Sequence, residues 1–296
     1  MNAADINGPK RGVSVYSYSG ELGITMTLED VFMEMKDLGA TGIEILANGH
    51  VDNYPNPTEE WVDKWFRMCQ KYDVTPAEYG HWVDSRLHKG GQLSTKESLV
   101  MLERDIRLAH RLGFTVLRTK LGIIDETLMP VSNWREFVKE ALPLAEECNV
   151  VMCPEIHLPT ALKSKVVDDY VEFIEQTGTK SFGLNIDFST FQTDLRIEVI
   201  GYPVPGLPKD GSPASYPEEM IPLLPYIHAC HAKFVHMNED FTETAIPYEE
   251  IIKVLRDHNW NGTMLSEYEG PHKDESGFVS EQIRRQHVMM KRILGY

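Results

Sequence analysis

Twelve ionisable side chains interrupt short apolar runs that would otherwise read as buried strand: Glu44, Glu78 and His81, Arg118 and Lys120, Glu155 and His157, Asp187, His231 and Lys233, and Glu267 and Glu269. A packed interior has no room for unpaired charge, so charge at the end of an apolar run marks an ion pair or a site. Glu155, Asp187, His231 and Glu267 come from four successive runs and together offer three carboxylates and one imidazole. Oxygen ligands with one nitrogen suit a divalent ion such as manganese, magnesium, cobalt or zinc. Without an ion the three carboxylates would repel one another, and burial would force protons onto some of them. Side chains two apart on a strand point the same way, so His157 follows Glu155, Lys233 follows His231 and Glu269 follows Glu267 into one cavity. His228 comes too early in its run to compete with His231, and His236 lies beyond it. Glu269 competes with Glu267, which is preferred because TMLSE ends the apolar run there, leaving Glu269 to a supporting or substrate role.

The elements that would carry these residues alternate along the chain. Strand-like runs cover 12–19, 42–46, 75–82, 115–121, 150–157, 181–188, 227–234 and 263–270. Helix-like segments cover 27–39, 58–72, 95–113, 133–149, 164–178, 216–226, 247–259 and 278–294. The clearest of them repeat apolar residues at i, i+3, i+4 and i+7, with Ser or Thr often just ahead and Gly or Asn just behind. Eight strand–helix units predict an α/β fold, a closed parallel (β/α)8 barrel built from residues 1–296 as one domain. The competing fold, a doubly wound open sheet, would carry a glycine-rich phosphate turn after its first strand, and YSYSGELG is not that fingerprint. In a barrel the strand ends and the loops that follow them share one mouth, so the long loops 47–57 and 189–215 are expected to surround the site.

Composition narrows the function. Of the 296 residues, 42% are hydrophobic and 25% charged, enough to bury a sizeable core. The net charge of -16 would repel a phosphate backbone, and no basic stretch offsets it, which argues against nucleic acid as a partner and for a small molecule or another protein. Cys69, Cys148, Cys153 and Cys230 lack the paired spacings of a zinc knuckle or disulfide scaffold and read as reduced core thiols. The first residues, MNAADINGPKRG, have no apolar leader core, and no segment approaches about 20 apolar residues, so a cytoplasmic protein without membrane contact is expected.

The stretches GVSVYSYSGE, LGATGIEIL, CPEIHLPT, NIDFSTFQ, HACHAKF and LSEYEG resemble the xylose-isomerase-like barrels, also described as the sugar phosphate isomerase/epimerase group, over nearly the whole chain. In that group the order Glu, Asp, His, Glu on strands 5 to 8 is the divalent metal set, which the resemblance carries to Glu155, Asp187, His231 and Glu267. A narrower similarity, resting on NYPNPTEEWVDKW, HWVDSRLHKGGQLS, EIHLPTALKS, DFSTFQ, HAKF and SEQIRRQ, is to the large catalytic subunit of bacterial C-glycoside deglycosidases. It implies cleavage of the carbon–carbon bond between an oxidised sugar and an aromatic, flavonoid-type aglycone, in a hetero-oligomer with a small β-rich subunit.

For a 3-keto C-glycoside, the resemblance implies a lyase that removes the proton at C2 and eliminates the aglycone across C1 and C2. His157 is the expected base or acid, because imidazole exchanges protons near neutral pH. Lys233 is expected to neutralise the developing oxyanion, and Glu269, Arg118, Glu78 and His81 to contact the substrate. A sugar or sugar-phosphate isomerase or epimerase begins with the same carbonyl and α-proton and is the alternative. A typical ketose epimerase would use paired glutamates as bases, and His157 favours elimination.

Overall fold

Eight strands hydrogen-bond in sequence order and close into a parallel barrel: Lys10–Ser14 (β1), Gly42–Leu46 (β2), Thr75–Val83 (β3), Val116–Leu121 (β4), Val151–Ile156 (β5), Leu184–Asp187 (β6), Ile227–Phe234 (β7) and Thr263–Tyr268 (β8). The structure, a computed structural model, describes residues 8–83, 91–122, 128–194 and 212–296. The connecting helices are Leu28–Leu38 (α1), Ala47–His50 (α2), Glu59–Tyr72 (α3), Thr95–Arg111 (α4), Trp134–Glu147 (α5), Lys165–Thr177 (α6), Tyr248–Asp257 (α7) and Phe278–Leu294 (α8). No helix among the described residues is long and apolar enough to cross a membrane.

Local chemistry sets the helix ends. Thr27 with Asp30, and Ser94 with Glu97, form reciprocal capping boxes at the starts of α1 and α4. Thr58 and Ser164 cap α3 and α6, and Gly39 and Gly178 end α1 and α6 in the left-handed conformation that glycine adopts without strain. The helices bury their apolar stripes against the outer face of the barrel. There Trp65 packs between Phe32 and Phe114, and Trp134 stacks on Phe182 at 5.8 Å. Each large side chain buried this way contributes about 1.5–3 kcal/mol of apolar burial.

Inside the barrel a separate small cluster, Val116, Cys153 and Ala229, packs on its own. Each of these residues lies two positions before a charged one, Arg118, Glu155 and His231, so the same strand faces carry an apolar floor and a charged tier above it.

Three segments depart from the periodic expectation. β1 ends at Ser14 rather than continuing to 19, because Val15–Tyr18 turns into a 3-10 helix at the rim. β6 is only four residues long; Gly183 before it lies against the His228 ring, where a Cβ would come within 2.3 Å, and the β6–β7 register shifts there. The expected helix at 216–226 is instead a 3-10 helix, Pro217–Tyr226, since Pro222 and Pro225 supply no N–H for an α-helical ladder. Of the two long loops, 47–57 contains α2, while in 189–215 residues 195–211 lie outside the described residues. The described ends of that second loop are joined, as the Ser215 N–H donates to the Thr190 carbonyl at 2.9 Å.

Candidate metal centre

Strand alternation and the stagger of the barrel bring Glu155 (β5), Asp187 (β6), His231 (β7) and Glu267 (β8) to one point at the C-terminal mouth, with one ligating atom from each within 4.8 Å of all the others. His231 Nδ1 stands 2.9 Å from Glu155 Oε1, 3.3 Å from Glu267 Oε2 and 4.0 Å from Asp187 Oδ2. Asp187 Oδ1 accepts the Ser189 N–H at 2.7 Å, which aims Oδ2 into the cluster, where it is buried and receives no hydrogen bond. Three carboxylates, one of them with an orphaned buried oxygen, and one imidazole nitrogen fit a divalent cation by donor chemistry. The group formed by Glu44, Glu78 and His231 lies deeper in the same barrel.

The electrostatics express this crowding. Burial, reinforced by Glu267 and Glu155, pushes Asp187 up to about 7 against the pull of Lys233. Burial would also raise Glu155, but Arg118 and His231 overcome it and hold that carboxyl well below its ordinary value. For His231 the sign is opposite: burial disfavours its proton, and Glu44, Glu267, Glu155 and Glu78 together raise it well above the ordinary imidazole value.

Above the cluster a cavity of about 170 Å³ opens at the mouth. The metal-facing residues Glu155 and Glu267 form its floor, and Tyr16, Leu46, Lys120, His157, Lys233 and Glu269 form its walls. His157 sits one residue past β5, and its Nδ1 is 2.8 Å from the Leu158 carbonyl. A carbonyl only accepts, so Nδ1 carries the hydrogen and Nε2 keeps a lone pair when the ring is neutral. Burial, the first cause, with Lys120 and Lys233 adding to it, lowers the His157 pKa against the attraction of Glu155. Lys233 pairs with Glu269, stands 3.3 Å from Glu267 and 3.8 Å from Asp187, and Tyr16 donates to the other oxygen of Glu269 at 3.1 Å.

The remaining expected substrate contacts take other positions. Arg118 lines the cavity, but its guanidinium donates to Glu44 Oε1 and Glu155 Oε2, each at 2.9 Å, and the residue is 4% exposed. Glu78 lies below the cavity, accepting from Asn185 Nδ2 at 2.9 Å. His81, three residues on and therefore on the opposite strand face, turns outward to α4, where Nδ1 is 2.9 Å from Asp105 Oδ2. Its ring therefore faces Asp105, and His81 does not line the mouth cavity where a substrate contact was expected. His228 faces Gly183 and takes no part in the cluster. Tyr16, Ser189 and Asn185 were not singled out by residue type. Asn185 shares the face of Asp187 two positions on, and that parity is the signal that could have found it; Tyr16 follows the end of β1 and escapes a period-2 reading.

The chain resembles known proteins over nearly its whole length. Over 97% of this chain and 93% of the other, it is 22% identical to a C-glycoside deglycosidase alpha subunit from Arthrobacter globiformis. It is 21% identical to a 3'-dehydrocarminate deglycosidase alpha subunit from a Microbacterium species, over 97% of this chain and 96% of the other. A crystal structure of D-psicose 3-epimerase with D-tagatose from Clostridium cellulolyticum H10 superposes with a TM-score of 0.66 at 15% identity, covering 96% of this chain and 99% of that one. The family described as xylose isomerase-like TIM barrel matches residues 32–290, and the chain, with its closed eight-stranded barrel, belongs to that family.

Proposed function

We propose that this chain is the metal-dependent catalytic subunit of a carbon–carbon lyase that releases the aromatic aglycone from 3-keto C-glycosides. The observation that carries the reading is the convergence of Glu155, Asp187, His231 and Glu267 on one point beside His157, whose Nε2 lone pair is available at a mouth cavity. The names of the two deglycosidase relatives, one of them acting on a 3'-dehydro glycoside, support the choice of substrate class.

Glu155, Asp187, His231 and Glu267 would hold one divalent ion, with manganese the expected metal. When bound, such an ion supplies Lewis acidity that makes a proton next to a ketone easier to remove. His157 Nε2 takes the proton from C2, α to the C3 ketone, and the C2–H electron pair becomes available to the sugar ring. As the C1=C2 double bond forms, the bond from C1 to the aglycone breaks and its electron pair goes to the aromatic carbon. The protonated His157 returns its proton to that carbon, so the proton balance closes without an oxidant or reductant. Lys233 faces the negative charge that develops on the sugar oxygen, and Glu269, oriented by Tyr16 and Lys233, accepts from a sugar hydroxyl. The "alpha subunit" names of the relatives support a second subunit, for which a small β-rich protein is proposed.

The purified chain, with and without a co-expressed small subunit, is to be incubated with 3-keto C-glucosides and separately with free ketoses. Aglycone release from the first, detected by its absorbance, is expected. Epimerised ketose with no aglycone release would overturn the lyase in favour of the isomerase or epimerase reading, which the fold of D-psicose 3-epimerase accommodates.

A further inference from the structure

Below the four ligating side chains, the barrel holds a second tier of charge that the proposed reaction does not use. Glu44 on β2 and Glu78 on β3 are wholly buried, and the Oε1 atom of each stands 3.5 Å from His231 Nε2. The other ring nitrogen, Nδ1, faces Glu155 and Glu267 at 2.9 and 3.3 Å. The two nitrogens of one imidazole therefore look at two different tiers. With a cation among Glu155, Asp187 and Glu267, Nδ1 is the nitrogen that faces it, and the hydrogen of the neutral ring then falls on Nε2, between the two inner carboxylates.

Two further residues hold this inner tier in place. Asn185 donates to Glu78 Oε1 at 2.9 Å, and Arg118 donates from Nε to Glu44 and from Nη1 to Glu155, each at 2.9 Å. Gly80 leaves room for that guanidinium, since a Cβ there would lie 2.9 Å from Arg118 Nη2. Glu44, Glu78 and His231 have the composition of a second cation site, but Arg118 Nε is already 2.9 Å from Glu44 and 3.6 Å from Glu78 and supplies the positive charge. A second ion would have to displace it.

We propose that Glu44 and Glu78 are positioning residues for the metal centre: they keep the His231 hydrogen on Nε2 and fix the ring so that Nδ1 faces the ligand cluster, while Arg118 ties Glu44 to Glu155. The imidazole and one carboxylate ligand are thereby set by the same buried network. This inference rests on the reading of Glu155, Asp187, His231 and Glu267 as a metal site. Partners of this kind behind a metal-bound histidine change metal affinity by roughly 10–100-fold.

Metal-stripped wild type, Glu44→Gln and Glu78→Gln are to be titrated with manganese chloride and free Mn²⁺ read by electron paramagnetic resonance. Each variant is expected to bind about 10–100-fold more weakly than wild type. A measurement on the wild type alone avoids any folding defect: the Co²⁺-loaded protein is expected to show a hyperfine-shifted, solvent-exchangeable imidazole N–H proton, which exchanges faster in the two variants. Wild-type affinity in both glutamine variants, or absence of that proton signal from Co²⁺-loaded wild type, overturns the proposal and leaves the metal site standing. Failure of the wild type to bind Mn²⁺ or Co²⁺ at all overturns the metal reading, and the inference falls with it.

Discussion

Replacing His157 by alanine separates proton transfer from metal binding. The imidazole is not one of the four clustered ligands, and its Nδ1–H is committed to the Leu158 carbonyl at 2.8 Å, so only Nε2 is available to take a proton. A positioned general base accounts for roughly 10²–10⁴ in rate, which is about 3–5 kcal/mol of barrier. The structural loss is smaller: one hydrogen bond to a backbone carbonyl, about 1 kcal/mol, or a fall in melting temperature of roughly 2–4 °C for a chain of this size. His157→Ala should therefore lower kcat/KM for aglycone release by about 10²–10⁴ while metal per chain, measured by mass spectrometry of the acid-digested protein, stays at the wild-type level. Exchange of the C2 proton in deuterated water should fall in parallel, because both observations read the same step. A variant that works within tenfold of wild type would refute the base assignment, and one that loses its metal would place His157 among the ligands instead.

Glu155→Gln should do the reverse, reducing bound metal to a trace, because it removes a carboxylate that also anchors Arg118; a full complement of metal in that variant would remove Glu155 from the ligand set. Chelation of the wild type should lower its melting temperature, and manganese at about 100 times its dissociation constant should restore about 2.7 kcal/mol of stability, as scanning calorimetry at fixed protein concentration would show. Away from the site, burial would raise the Asp105 pKa, but His81 and Arg104 bring it down to about 2 from an ordinary 3.8. A depressed carboxyl stabilises the fold above its unfolded value and loses that contribution as pH falls through the folded one, so the term is on the order of 2.5 kcal/mol at pH 6. The stability gap between wild type and Asp105→Asn in urea should narrow by about 1 kcal/mol between pH 6 and pH 3; a gap that does not change would show that the charge on Asp105 is not what holds His81.

The barrel was legible because its determinants are local and repeated. Apolar runs, 3.6-residue stripes and capping residues such as Thr27 and Ser94 follow from neighbours a few positions apart, and eight such units admit few closed arrangements. Where local chemistry overrides periodicity, the elements shift: Pro222 and Pro225 turn the segment 217–226 into a 3-10 helix. The clustering of Glu155, Asp187, His231 and Glu267 was also foreseeable, since strand order alone makes them neighbours around a rim.

What residue type and spacing left open was where each charged group finds its partner. His81 and Glu78 look alike as charges within one strand, yet their odd separation sends one outward to Asp105 on α4 and the other inward beneath the cavity. Arg118 reads from its residue type as a substrate contact, but barrel closure brings β2 and β5 within reach of its two ends, and Glu44 and Glu155 occupy it. The sequence by itself determined the alternating elements, the closed barrel and the rim on which the chemistry collects, because those depend on contacts short in sequence or repeated along it. Only the tertiary structure decided which buried charges neutralise one another and which nitrogen of His231 faces the ligand cluster, because those depend on distances of a few ångströms between strands far apart in the chain.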